Sequence, residues 1–115
     1  MPERDWSLFL KDICDCCGKI ILYTEGLDRK EFFNDTKSLD AVLRNLEIIG
    51  EAAKKIPADA KRRFKEIEWK KMAGLRDIVI HDYFGINEDI IWDVISNKIP
   101  ELHRTVSDIL QNRIA

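Results

Sequence analysis

Residues 76–83 read Arg76-Asp77-Ile78-Val79-Ile80-His81-Asp82-Tyr83, and this run holds the side chains of the chain best suited to chemistry. The planar guanidinium fork of Arg76 matches two oxygens of a phosphate. An imidazole titrates near neutrality, so His81 suits proton transfer as general base or general acid. These types fit phosphodiester cleavage in RNA. There a 2′-hydroxyl attacks the adjacent phosphorus once a base takes its proton and the developing charge is stabilised.

Helical spacing sets how far the four groups converge. Asp77 and His81 are four apart and share a face, within reach of a carboxylate–imidazole hydrogen bond that would fix the tautomer. Arg76 and Tyr83 are seven apart, about 20° from each other and roughly 10 Å apart along the axis. Arg76 and His81, five apart, point about 140° away from each other. That last pair does not converge on one substrate atom. Three solutions are open: the helix bends or frays after Ile80, Arg76 reaches round it, or the working site combines two copies of the chain. A symmetric dimer is the simplest form of the third. The structural reading beside these has Arg76 and Asp77 solvated, His81 as a helix C-terminal cation and Tyr83 packed on Phe84.

The elements that must position this run read as helices throughout. Trp6, Phe9, Leu10, Ile13, Cys17, Ile20 and Ile21 recur at spacings of three and four, which predicts a helix from about Asp5 to Thr24. Asp5 suits its cap and Gly26 its stop. Leu27–Asn34 is expected to be a connector with at most one helical turn. Asp35 or Thr36 opens a second long helix with Leu39, Val42, Leu43, Leu46, Ile49, Ala53 and Ile56 on one side, closed by Pro57. Asp59–Glu66 reads as a short helix or turn anchored by Phe64. A third principal helix is expected near Glu68, with Trp69, Met72, Leu75, Val79 and Ile80 buried and its exit at Asp82-Tyr83-Phe84-Gly85. Asn87 caps a fourth segment carrying Ile90, Ile91, Val94, Ile95 and Ile99, and Pro100 starts a last helix. The predicted fold is all-α: an up-and-down bundle of about four main helices plus short ones, forming one domain over residues 1–115.

Composition narrows the partners. The chain of 115 residues is 45% apolar and 35% charged, a globular balance. Its net charge of -2 and pI near 5.7 argue against broad electrostatic wrapping of nucleic acid, so any RNA contact must be local. No apolar run approaches the length of a membrane span, and the charged start reads as an amphipathic helix rather than a signal peptide. A soluble, cytoplasmic protein is therefore expected.

Other side chains carry weaker signals. Cys14, Cys16 and Cys17 lack a second ligand pair for zinc and are expected to be reduced, buried helix residues. Glu47 and Glu51 resemble paired carboxylates, but Arg44 and Lys55 stand at ion-pairing distance along the helix. Gly50 between them costs stability unless another backbone comes close, which predicts a tight helix crossing there. Lys61, Arg62, Arg63 and Lys65 form the most basic stretch. Lys70 and Lys71 continue it as candidate RNA contacts. Trp69 reads as a core anchor, and His103 gives no signal.

The Arg-x4-His-x-Tyr spacing resembles the motif of the HEPN superfamily. Arg44-Asn45-Leu46-Glu47-Ile48-Ile49-Gly50-Glu51-Ala52 and Ile80-His81-Asp82-Tyr83-Phe84-Gly85 are similar to its HepT-like branch, over about residues 5–110. The resemblance implies a small all-α protein that pairs as a homodimer with its motifs facing one cleft. It further implies a metal-independent endoribonuclease toxin, with Arg76 and His81 catalytic, Asp77 and Tyr83 supporting, and no cofactor. The implied partner is a minimal nucleotidyltransferase antitoxin that silences the site by transferring AMP to Tyr83. Many HEPN nucleases carry asparagine where this chain has Asp77, whose charge would weaken phosphate binding while holding His81. A non-catalytic HEPN adapter for a nucleotidyltransferase stays open beside the nuclease, and so, more remotely, does a structural dimerisation module.

Overall fold

The computed structural model describes residues 5–82 and 87–114, and of residues 81, 82 and 114 only the backbone is described. Helix α1 spans Trp6–Thr24, with the Asp5 carboxylate accepting from the Ser7 N–H at 2.9 Å as its cap. It stops at Gly26, whose φ of 78° is a left-handed conformation that glycine adopts without steric cost. The connector is more ordered than expected. Helix α2 (Arg29–Asn34) opens on a reciprocal capping box between Asp28 and Glu31. Its Phe32 is fully buried against Phe33 and Trp92.

Helix α3 (Thr36–Lys55) starts on Asp35, which accepts hydrogen bonds from both the N–H and the hydroxyl of Ser38. It buries Val42, Leu43, Leu46, Ile49 and Ala53, the side predicted from spacing. This helix is the centre of the bundle. It packs along α1 on one side and against the later helices α5 and α6 on another. Helix α4 (Ala58–Arg63) follows Pro57. Phe64 then seats under the Trp6 ring, with the guanidinium groups of Arg63 and Arg113 over its face, and its carbonyl accepts from the Trp69 indole. Trp69 is thus a core anchor.

Two expected elements are divided differently. The third principal helix is two pieces, α5 (Trp69–Ala73) and α6 (Leu75–Asp82), separated at Gly74. Glycine is a poor helix former, and the chain turns where the penalty for leaving the helix is smallest. Pro100 stands in the first turn of the last helix, as expected, but no break separates that helix from the one before it. Helix α7 (Glu88–Asp93), capped by Asn87, runs on through a π-helical stretch (Val94–Lys98) into α8 (Ile99–Ile109) and a second π stretch (Leu110–Ile114). In a regular α-helix the Pro100 ring would clash with the carbonyl four residues back. The wider π turn, in which the Ile99 N–H reaches the Val94 carbonyl, lets the helix pass the proline unbroken.

The described residues form an all-α bundle of four principal helical runs, with α1 also packed against α8. Among the described residues no helix is long and apolar enough to cross a membrane.

Gly18 lies inside α1, and a Cβ there would meet only the His103 Nε2, at an ordinary 3.7 Å. Gly18→Ala is therefore expected to stabilise the fold by about 0.5–1 kcal/mol, read as a higher denaturation midpoint in urea.

Candidate functional site

The break at Gly74 builds the site. The Gly74 N–H closes α5 on the Lys70 and Met72 carbonyls, and its own carbonyl accepts from the N–H groups of Asp77 (3.0 Å) and Ile78 (3.2 Å) to start α6. Arg76 thereby falls in the first turn of α6, directly over Gly50 of α3. A Cβ built on Gly50 would stand 3.1 Å from the Arg76 backbone nitrogen and 3.3 Å from the Ala73 carbonyl oxygen. Two backbones meet here, as the lone glycine in α3 predicted.

Helix α6 turns Leu75 and Val79 into the core, with Ile78 packed partly against it. Arg76 and Asp77 are exposed. Ile80 is 46% exposed and not buried as its place in the apolar pattern suggested. It stands four residues from Arg76 and so shares the outward face with it, while Ile78 takes the inward position. Ile90 is likewise exposed, at 45%. No described residue pairs with the Arg76 side chain.

The backbone of α6 stays helical through Asp82. Fraying after Ile80 is therefore not what brings Arg76 and His81 together. The His81 side chain, Tyr83, the Asp77–His81 hydrogen bond and the exit through Phe84 and Gly85 lie outside the described residues.

The remaining candidates divide. Lys71 pairs with Glu68 at 2.7 Å on the surface. Their mutual hydrogen bond and charge hold the carboxyl below its usual range and the ammonium above. Lys70 is exposed, with no partner among the described residues. Arg44 binds Glu47 at 3.4 Å, whereas no ion pair joins Glu51 to Lys55. In the basic stretch Arg63 lies over the Trp6 and Phe64 rings, a packing role, while Arg62 and Lys65 face solvent. Cys16 and Cys17 are core residues of α1, and burial raises both thiols. Cys14 is half-buried, its Sγ 3.3 Å from the Ser107 hydroxyl. Among the described residues no group of three or more His, Cys, Asp or Glu is placed to hold a metal ion.

A groove of about 310 Å³ runs between α5–α6 and the C-terminal helix, floored by residues such as Met72, Leu75 and Leu102. Glu66, Glu68, Asp93 and Glu101 line it against Lys71 and Lys98. A lining with more carboxylates than cations does not suit a polyanion, and Arg76 is not part of it.

The chain matches the model of the HepT-like family, described as "Ribonuclease HepT-like", over residues 13–109. It is 43% identical over 112 residues to a protein of Methanocaldococcus jannaschii named provisionally as an RNase, covering 97% of this chain and 93% of that one. A protein of Thermococcus cleftensis named as a probable ribonuclease HepT is 43% identical over 100 residues, 87% of this chain and 91% of its own. A further relative named provisionally as an RNase, from Caldanaerobacter subterraneus, is 41% identical over 103 residues, 90% and 92% of the two chains. No solved structure gives a significant match.

Proposed function

Because the chain belongs to the HepT-like ribonuclease family, we propose that it is an endoribonuclease that cleaves RNA without a metal ion. One observation carries this reading: Arg76 stands exposed and unpaired among the described residues, on the helix that leads into His81 and Tyr83. An unpaired guanidinium on a protein of net charge -2 is a local phosphate site of the kind an acidic RNA-binding protein needs. In the proposed reaction His81 takes the 2′-hydroxyl proton or protonates the leaving oxygen. Arg76 meets the phosphate oxygens as charge develops on them. Asp77 orients His81, and Tyr83 contacts the phosphate or sugar. Lys70 steers the strand, and Lys71 joins it by releasing Glu68, since an exposed ion pair holds only weakly.

The proposed unit is a homodimer. An unbroken helix through Asp82 leaves Arg76 and His81 of one copy on different sides, so a cleft shared by two copies supplies each phosphate with both. The proposed regulator is a minimal nucleotidyltransferase acting as antitoxin. AMP on Tyr83 would add bulk and negative charge within an anion-binding cleft and so exclude RNA.

The test is cleavage of a mixed RNA pool by purified protein in excess EDTA. Wild type should cut, and Arg76→Ala and His81→Ala of verified helicity should not. Wild type that leaves RNA intact with Tyr83 unmodified supports the non-catalytic adapter instead, a reading that the exposed Asp77 carboxylate beside Arg76 favours.

A further inference from the structure

Gly50 has no side chain to contribute, and it stands so close to the backbone of Arg76 that an added Cβ would be tighter than ordinary van der Waals contact. The virtual Cβ of Gly50 falls 3.1 Å from the Arg76 nitrogen, 3.3 Å from the Arg76 Cβ and 3.3 Å from the Ala73 carbonyl oxygen. The obstacles are mainly backbone, so a real side chain must push helices apart by a few tenths of an ångström rather than turn a rotamer. Its neighbours in α3 leave little room to yield the other way. Leu46, Ile49 and Ala53 are fully buried in the core.

The geometry points to Gly50, with the helix break at Gly74, as the positioning element for Arg76. The reasoning is mechanical. The Arg76 side chain is exposed, so its head is not held by packing or by an ion pair among the described residues. What fixes the direction in which it leaves the protein is its own backbone, and that backbone is seated on α3 at Gly50. Gly74 completes the seat. By ending α5 there, it lets the Ala73 carbonyl and the Arg76 N–H come down together over one residue of the crossing helix. A continuous helix from Trp69 to Asp82 would present a different turn to Gly50. The contrast with Gly18, where a Cβ meets nothing closer than 3.7 Å, shows that a glycine in a helix of this chain is not by itself a close approach.

This inference rests on the reading of Arg76 as the phosphate contact of an RNA-cleaving site. A displacement of a few tenths of an ångström at a residue that meets the transition state costs about tenfold in rate, against about 10²-fold for a full ångström. Gly50→Ala should therefore lower kcat about tenfold with KM changed less than about threefold. Coupling to the arginine separates positioning from general loosening. In an Arg76→Lys background the fork whose orientation Gly50 sets is gone, and Gly50→Ala should cost less than about twofold more. Ile49→Val, a cavity in the same turn of α3, serves as the structural control and should keep kcat. Gly74→Ala acts on the seat from the other helix by favouring a continuous helix where the chain now breaks, and should give the same coupled loss. It carries the test if Gly50→Ala does not fold.

The experiment is single-turnover and steady-state cleavage of labelled RNA in EDTA by these variants, each checked by circular dichroism. Loss of kcat in Gly50→Ala or Gly74→Ala that Arg76→Lys suppresses is the expected result. Active wild type with undiminished Gly50→Ala, or a loss that persists in full beside Arg76→Lys, overturns the positioning role and leaves the ribonuclease reading standing. Wild type that cuts no RNA overturns that reading and this inference together.

Discussion

Replacing His81 by alanine is expected to slow RNA cleavage by about 10²–10⁴-fold, the contribution of one well-placed general acid or base. Arg76→Ala should cost about 10²–10³-fold, comparable to removing one donor that meets charge only as it develops. Arg76→Lys should fall between wild type and Arg76→Ala, because an ammonium keeps the charge but loses the two-pronged geometry. The structure makes Arg76 a clean position for such a comparison. It is exposed, and the same helix holds itself in the core through Leu75 and Val79. Truncating Arg76 removes no buried contact and breaks no ion pair among the described residues. Single-turnover rates on a labelled RNA in EDTA, read beside circular dichroism spectra, decide the matter. A His81→Ala protein as fast as wild type would move the proton transfer to another group. A loss confined to KM would make Arg76 a binding residue only.

Much of the architecture was legible in the sequence because it rests on local rules. Asp5, Asp35 and Asn87 cap the helices that they precede, and the burial of Val42, Leu46 and Ile49 follows from spacing alone. Where the pattern misled, the cause was tertiary. Pro100 does stand at the start of α8, but a π turn joins that helix to α7 without a break. No sequence spacing distinguishes a joined start from a separate one. Ile80 fits the apolar pattern of α6 as well as Ile78 does. Which of them faces the core depends on how the break at Gly74 rotates α6 against α3. Gly50 announced a close crossing, yet nothing local says that the backbone across it belongs to Arg76. For the motif the sequence supplies residue types and not geometry, since five residues of helix separate the two groups proposed to act on one phosphate.

That separation leads to the second large expectation: mixing two inactive proteins should restore activity. If each cleft draws Arg76 from one copy and His81 from the other, a dimer of one Arg76→Ala chain and one His81→Ala chain carries one intact cleft and one doubly defective one. Random re-association makes half the dimers mixed, so the mixture should recover about a quarter of wild-type activity, far above either parent. If Arg76 instead reaches round α6 to its own His81, every cleft in the mixture lacks one group and activity stays at the parental level. The helical backbone through Asp82 is what makes the first outcome the expected one, because it holds the two residues about 140° apart on a single copy. The subunits should be exchanged under mild denaturant and the two parents refolded alone as controls. Their cleavage rates then report on the arrangement of the cleft without any structure of the complex. A recovered quarter also has a regulatory consequence. Each cleft would then be built from two chains, so AMP on one Tyr83 of a dimer would block only the cleft that its own tyrosine enters, and full silencing would need both copies modified.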